Sequence, residues 1–250
     1  MNTLFIGQNF VELQAVESTN RYATKLLPTG IPEGTVVLAH HQTAGRGQQG
    51  NQWHSAPGKN LTFSLVLYPH YLSSPQIFLL NKLFSVALYD FLRVELPEVD
   101  LWIKWPNDLL LNRQKVAGML IENQFNGPVI GSTVAGIGLN VNQRIFPTEL
   151  YGNATSLCRE TGGEYALRYL LEKLLVQIEA RILAVRAGRT EQIERDYLRH
   201  LFGYQEEVDL LIDGRAVRRY LAGVDRHGRL ALQNGQQLDY YNIKEVAFCL

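Results

Sequence analysis

Thr43-Ala44-Gly45-Arg46-Gly47-Gln48-Gln49-Gly50-Asn51-Gln52-Trp53 places three glycines within six residues, an arginine between the first two, and a tryptophan at its close. Gly45, Gly47 and Gly50 satisfy the G-x-G-x-x-G spacing, but what flanks the run decides the fold. Thr35 to Ala39 is a β-branched strand feeding into it, and Leu61 to Leu67 alternates apolar and polar and reads as a half-buried strand after it. A dinucleotide fold needs a helix there, and a Walker loop needs Gly-Lys-Ser/Thr. Neither is present. The run is therefore a strand-to-strand loop in an α+β fold. It has no side chains that build a core, and its glycines permit positive φ and close backbone approach to an anion. Taken alone, such a run is more often a mobile connection than a site.

Working outward, residues 10–16 read as a short strand leading to Glu17-Ser18-Thr19-Asn20, with Ser18 or Thr19 as N-cap of a helix over 21–27. Capping alone accounts for that polar cluster. Ser74-Pro75 opens a long apolar helix from about Gln76 to Val94. Leu101-Trp102-Ile103-Lys104-Trp105-Pro106-Asn107-Asp108 leads into a hairpin whose returning strand begins at Lys115 and ends at Glu122. Pro106 cannot donate to a ladder, so the chain bends there, and Lys104, Asn107, Asp108 and Lys115 can converge at one sheet end. Ala135-Gly136-Ile137-Gly138-Leu139-Asn140 is a strand whose glycines point to close approach of a ligand or another backbone. Helices over 164–185 and 191–201 carry apolar faces and no chemistry. At Phe202-Gly203 the pattern changes to short strands separated by Asp213-Gly214, His227-Gly228 and Asn234-Gly235, which predicts a small antiparallel barrel. The division is thus 1–202 and 203–250. The small unit packs on the larger one, being marginal alone.

The 250 residues are 46% apolar, normal for a packed globule, and 24 Lys plus Arg balance 24 Asp plus Glu. Zero net charge argues against a broad nucleic-acid surface. Cys158 and Cys249 lack metal-ligand spacing and read as structural thiols in a reducing compartment. No leader is visible at Met1-Asn2-Thr3-Leu4-Phe5, and no run reaches the roughly 18 apolar residues of a membrane span. The expectation is a soluble cytoplasmic protein with no membrane partner.

Cations and amides aimed at one site favour reactions that shift negative charge on a phosphate. Asp108 can hold Mg²⁺, which takes one or two carboxylates plus substrate phosphates. No Ser, Cys or His forms an obvious nucleophile–base pair, which suits a transfer whose substrate supplies the nucleophile. Solvated-strand and turn-forming roles for Lys104, Asn107, Asp108 and Asn140 explain those residues as well at this stage.

Four blocks in order, Glu17 to Asn20, Gln42 to Gly47 with Gly50 and Trp53, Lys104 to Asp108 continuing to Lys115-Val116-Ala117-Gly118, and Gly136 to Asn140, resemble the biotin protein ligases. The resemblance implies a mixed-sheet catalytic domain of the biotin/lipoate ligase type with a C-terminal SH3-like barrel. It implies biotin and MgATP giving biotinyl-5′-adenylate, then transfer to a lysine of the carrier domain of a biotin-dependent carboxylase. By motif position Ser18, Thr19, Asn20, Gln42, Arg46, Gln48, Trp53 and Gly118 would meet biotin, with Gly45 and Gly47 shaping a closing loop. Lys115, with Arg46, would be catalytic, at the carboxylate and phosphate; Lys104, Asn107, Asp108 and Asn140 would serve ATP, Asp108 with the metal. A homodimer is compatible with this reading.

Two departures matter. The family's larger members carry a helix-turn-helix and act as repressors, whereas this chain begins almost at the catalytic domain. The family's loop commonly reads Gly-Arg-Gly-Arg-Arg-Gly-Arg, but here Gln48, Gln49 and Asn51 stand where arginines are expected, which predicts weaker retention of the adenylate. A lipoate ligase, a non-catalytic biotin or nucleotide sensor and, more remotely, a DNA-binding repressor are the alternatives.

Overall fold

A computed structural model describes residues 2–150 and 152–249; Met1, Tyr151, Leu250 and the side chain of Gln49 lie outside the description, and with them the leader reading at Met1 and the role of Gln49. Strand β1 (Phe10–Leu13) pairs in parallel with β2 (Val36–Ala39), and helix α1 (Thr19–Leu26) makes the crossover such a pair requires. Strand β3 (Leu61–Leu67) runs antiparallel to β2 and to β7 (Val129–Leu139), the middle of the sheet. Beyond β7 come β6 (Gln114–Asn126), β5 (Asp108–Leu111) and β4 (Leu101–Lys104), giving the order β1-β2-β3-β7-β6-β5-β4.

Both faces of the central strands are covered. Leu61, Phe63, Leu65 and Leu67 join the main core beneath α2 (Phe78–Glu95) and α4 (Leu167–Arg186). Val37, Val66 and Val134 face the other way, against Ala23 of α1. The expectation of a half-buried 61–67 strand is corrected here: all seven residues are buried, because the face carrying Thr62 and Ser64 meets α1 and not water. Helix α2 is preceded by a 3₁₀ turn at Ser74–Gln76, held by a capping box of Ser73 and Gln76. Helix α3 (Leu157–Thr161), absent from the sequence reading, precedes α4, and α5 (Thr190–Arg199) is tied to α2 by the Lys82–Glu194 ion pair.

The C-terminal strands β8 (Glu207–Ile212), β9 (Arg215–Val224), β10 (Leu230–Asn234), β11 (Gln237–Tyr241) and β12 (Val246–Phe248) form a second antiparallel sheet in the order β11-β10-β9-β8-β12. Among the described residues no ladder joins β11 to β12, so the small barrel is open at that seam. It packs on the larger sheet: Trp105 Nε1 donates to Gly228 O at 2.8 Å, and Leu210, Leu221, Leu230 and Leu232 belong to the main core. Cys158 is buried and Cys249 exposed, so only the first fits the structural-thiol reading.

Candidate active site

The glycine loop folds back on itself as a hairpin. Arg46 and Gln52 form a bridge; Gly47 N–H donates to Asn51 O at 2.7 Å and Trp53 N–H to Gly45 O at 3.0 Å. Gly45 packs against the Trp53 carbonyl. Of the loop's glycines, only Gly50 has positive φ.

Ser18 is at the N-cap position of α1 but makes no side-chain cap bond, so capping does not explain the Ser-Thr-Asn cluster. Its members are buried beside the loop. Gln42 Oε1 accepts from Thr19 N–H at 2.8 Å, and Ser64 Oγ donates to Asn20 Oδ1 at 2.6 Å. Asn20 Nδ2 donates to Glu122 Oε2 at 2.8 Å and to Leu120 O at 3.1 Å. Glu122 also pairs with Arg46 at 3.0 Å, so one carboxylate joins helix α1 to the loop. All four polar atoms of Asn20 and Glu122 are thus used within the protein.

A β-bulge sets the second group. Leu109 is opposite Ala117, but Leu110 is opposite Lys115, so Val116 is skipped. Past the bulge Lys115 reaches Asp108, Nζ to Oδ1 at 2.7 Å, over Gly118. Lys115 Nζ also stands 5.6 Å from the centre of the Trp53 ring. Asn107 turns its amide onto Met119 O and so ties the β4–β5 turn to β6.

The glycines of β7 admit side chains. A Cβ on Gly136 would lie 2.2 Å from Asn20 Oδ1, and one on Gly138 2.3 Å from Trp53 Cε2. Both positions are closely approached, but by the side chains of Asn20 and Trp53 and not by the ligand or backbone expected there.

Two cavities result. A cleft of about 260 Å³ lies between the α1 cluster, the loop and the Asp108–Lys115 pair. A second, of about 350 Å³, is bounded by Lys104, Asn140, Phe146 and Phe248. Trp53 and Lys115 line both. Ser18, Thr19, Asn20, Gln42, Arg46, Gln48, Trp53 and Gly118, expected at biotin, line the cleft; Gly45 does not, and Asn107 and Asp108, expected with Lys104 and Asn140 at ATP, line it instead. Lys104 and Asn140 line the other cavity, so Lys104 does not join Asn107 in one wall. Burial lowers the Lys104 pKa; Asp108 opposes that and Lys115 adds to it.

Three buried polar atoms at this site have no hydrogen-bond partner: Trp53 Nε1, Asp108 Oδ1 and Asn140 Oδ1. Asp108 Oδ1 is within ion-pair distance of Lys115 but without an aligned donor. Buried groups normally find partners, so atoms left open beside cavities suit a ligand.

The sequence reading misses Ser64 and Glu122, and Ile243 and Lys244 of the barrel, which also line the cleft. A serine and a glutamate inside apolar strands are a legible signal; the barrel residues carry none in sequence.

The site sits on a fold shared with known proteins. Residues 12–142 match the biotin/lipoate A/B protein ligase family, and the chain belongs to it. Among curated proteins it is 35% identical over 206 residues to the bifunctional ligase/repressor BirA of Bacillus subtilis, covering 81% of this chain and 58% of that one. It is 29% identical over 236 residues to the biotin–[acetyl-CoA-carboxylase] ligase of Mycobacterium tuberculosis, covering 92% and 86%. The biotin protein ligase of Aquifex aeolicus in complex with biotin and ATP superposes with a TM-score of 0.80 at 27% identity, over 96% of this chain and 98% of that one. The chain spans less than two thirds of the Bacillus relative's length, at 58%.

Proposed function

We propose that the chain is an ATP-dependent biotin–protein ligase that activates biotin as biotinyl-5′-adenylate and transfers it to a lysine of a carboxylase carrier domain. The observation that carries this is the pair of cavities meeting at Trp53 and Lys115, with Trp53 Nε1 and Asn140 Oδ1 buried and without hydrogen-bond partners beside them. A two-substrate condensation needs two adjoining pockets and a cation where they meet. The Aquifex protein, described with biotin and ATP, and the mycobacterial relative, named as a biotin–[acetyl-CoA-carboxylase] ligase, support the reading.

In the first step a biotin carboxylate oxygen attacks the α-phosphorus of ATP, and the bond to the β-phosphate oxygen breaks to release pyrophosphate. Lys115 neutralises the two anions that must meet, exchanging Asp108 for them. The α1 cluster and Gln42 orient the ureido end of biotin, and Arg46, with Gly45, Gly47 and Gln48 shaping its loop, covers the acyl chain against water. Asn140 Oδ1 and Trp53 Nε1 offer an acceptor and a donor to the nucleotide, with Lys104 near its phosphates and Asn107 holding the turn. In the second step the carrier amine attacks the acyl carbon, AMP leaves, and the amine loses its proton to solvent.

Among the described residues no three His, Cys, Asp or Glu cluster as a metal site. The single carboxylate of Asp108, once Lys115 has turned to the substrate anions, fits Mg²⁺, which needs few protein ligands when phosphates supply the rest. Bound there, Mg²⁺ would supply charge neutralisation at the phosphates. The same proposal takes 1–202 as the catalytic unit and 203–250 as a small packed barrel, acting in the cytoplasm without nucleic acid. No helix among the described residues is long and apolar enough to cross a membrane.

Incubation with biotin, MgATP and a carrier domain should add one biotinyl unit to the carrier by mass measurement. Lipoylation under parallel conditions, or pyrophosphate release with no carrier modified, would overturn the assignment.

A further inference from the structure

Three cationic side chains line the cleft, and two are engaged: Arg46 with Glu122 at 3.0 Å and Lys115 with Asp108 at 2.7 Å. The third, Lys244, belongs to the barrel, and among the described residues it has neither a carboxylate partner nor a hydrogen bond from its side chain. Its backbone lies at φ +84°, in the left-handed region that favours glycine. A clasp imposes that conformation. Asn242 donates to the Glu245 carboxylate from its backbone N–H at 2.6 Å and from Nδ2 at 3.2 Å, and Glu245 N–H returns to Asn242 O at 3.2 Å. Ile243, on the same turn, lines the cleft and bridges Val246 of β12. Strained backbone at a non-glycine residue persists where its surroundings over-determine it, and such positions gather at ligand sites.

We propose that Lys244 is a binding residue for the phosphate of the acyl-adenylate, contributed to the site by the C-terminal barrel. The proposal rests on the ligase reading above. An ammonium is a compact point charge with three rotatable donors, suited to a phosphate oxygen without bidentate geometry. Being unpaired, Lys244 meets that anion without surrendering an ion pair, whereas Arg46 and Lys115 must exchange partners. Its place in the cleft with the loop and Lys115, and not in the Asn140 cavity, selects the adenylate phosphate over the outer phosphates of ATP.

The test uses Lys244→Gly, Lys244→Gln and Lys244→Arg with calorimetric titration of biotin, ATP and biotinol-5′-adenylate, an analogue that keeps the phosphate but cannot acylate. Glycine relieves the backbone strain while removing the charge, so a purely structural role predicts that Lys244→Gly is neutral or better in melting temperature and in every affinity. The proposal predicts an unchanged or higher melting temperature, a roughly three- to tenfold weaker hold on biotinol-5′-adenylate for the Gly and Gln variants, little change for biotin or ATP, and recovery in Lys244→Arg. Undiminished binding of the analogue by Lys244→Gly overturns it, as does an equal loss for biotin alone. An equal loss for ATP alone overturns the choice of the adenylate. A wild-type chain that binds neither biotin nor the analogue overturns the ligase reading as well.

Discussion

The corner beside α1 lines the cleft and the seam at Trp53 joins that cleft to the second cavity, and the two treat polar atoms in opposite ways. In the corner Thr19, Asn20, Gln42, Ser64 and Glu122 satisfy one another. At the seam Trp53 Nε1 and Asn140 Oδ1 are buried and open, and Asp108 Oδ1 meets only the Lys115 ammonium. A saturated corner is rigid before ligand arrives, so binding there needs little reorganisation. Each open group at the seam costs about 1–3 kcal/mol of desolvation in the empty protein, which a correctly shaped ligand returns. On the proposed ligase reading, recognition of the acyl substrate is built into the fold, while the nucleotide and the transferring phosphate complete the seam.

The largest effect should come from removing the cation at the seam. Lys115→Ala is expected to lower biotin-dependent pyrophosphate release by about 100-fold or more, the scale of losing one charge-stabilising donor in a transition state. The side chain is partly exposed, so the fold should survive, as circular dichroism and thermal melting will report. Normal pyrophosphate release by the folded variant would remove Lys115 from its assigned role.

Next come the two glycines of β7, which break the comparison apart. Gly138→Ala drives a Cβ to 2.3 Å from the Trp53 ring and should raise KM for ATP and depress turnover by about tenfold, leaving biotin binding closer to normal. Gly136→Ala drives one to 2.2 Å from Asn20 Oδ1 and should instead weaken biotin and destabilise the chain by about 1–3 kcal/mol. If both variants shift the same constant, the division between corner and seam does not exist.

Lys104 gives a smaller effect with a sign that can be worked out. Burial, its leading cause, lowers the folded pKa below the ordinary 10.5, so between those two values the unfolded chain binds more protons. Unfolding free energy therefore rises with pH across that window. Lys104→Met should abolish the rise and lift the melting temperature at neutral pH by about 1–4 °C, while slowing the ATP-dependent step severalfold. A lower melting temperature with unaltered kinetics would make Lys104 a structural residue.

Much of this was legible in the sequence, for reasons that differ by region. The strand after the glycine loop ruled out a dinucleotide fold, and the glycines of β7 signalled close approach. The Ser18–Asn20 cluster misled because a serine before a helix looks the same whether it caps or lines a pocket. Strand 61–67 misled because alternation reports two different faces, not that one of them is wet; here the polar face meets α1. Lys244 was invisible because its place in the cleft depends on a barrel turn docking against a loop almost two hundred residues earlier, and no local pattern encodes that.

The smallest expected effect tests the loop itself. Gln48 starts the 3₁₀ turn at the hairpin tip, lines the cleft and is half-buried, while Arg46, the loop's one cation, is held by Glu122. On the proposed reading the loop would meet an anionic intermediate with no free charge of its own among the described side chains. Gln48→Arg should add one and slow dissociation of biotinyl-5′-adenylate by about three- to tenfold, less at high salt because the site is open. A rate of release that is unchanged or faster would mean that retention is set elsewhere. Lys244 and the saturated corner would then carry it, and the glutamines of the loop would be replacements without consequence for the intermediate.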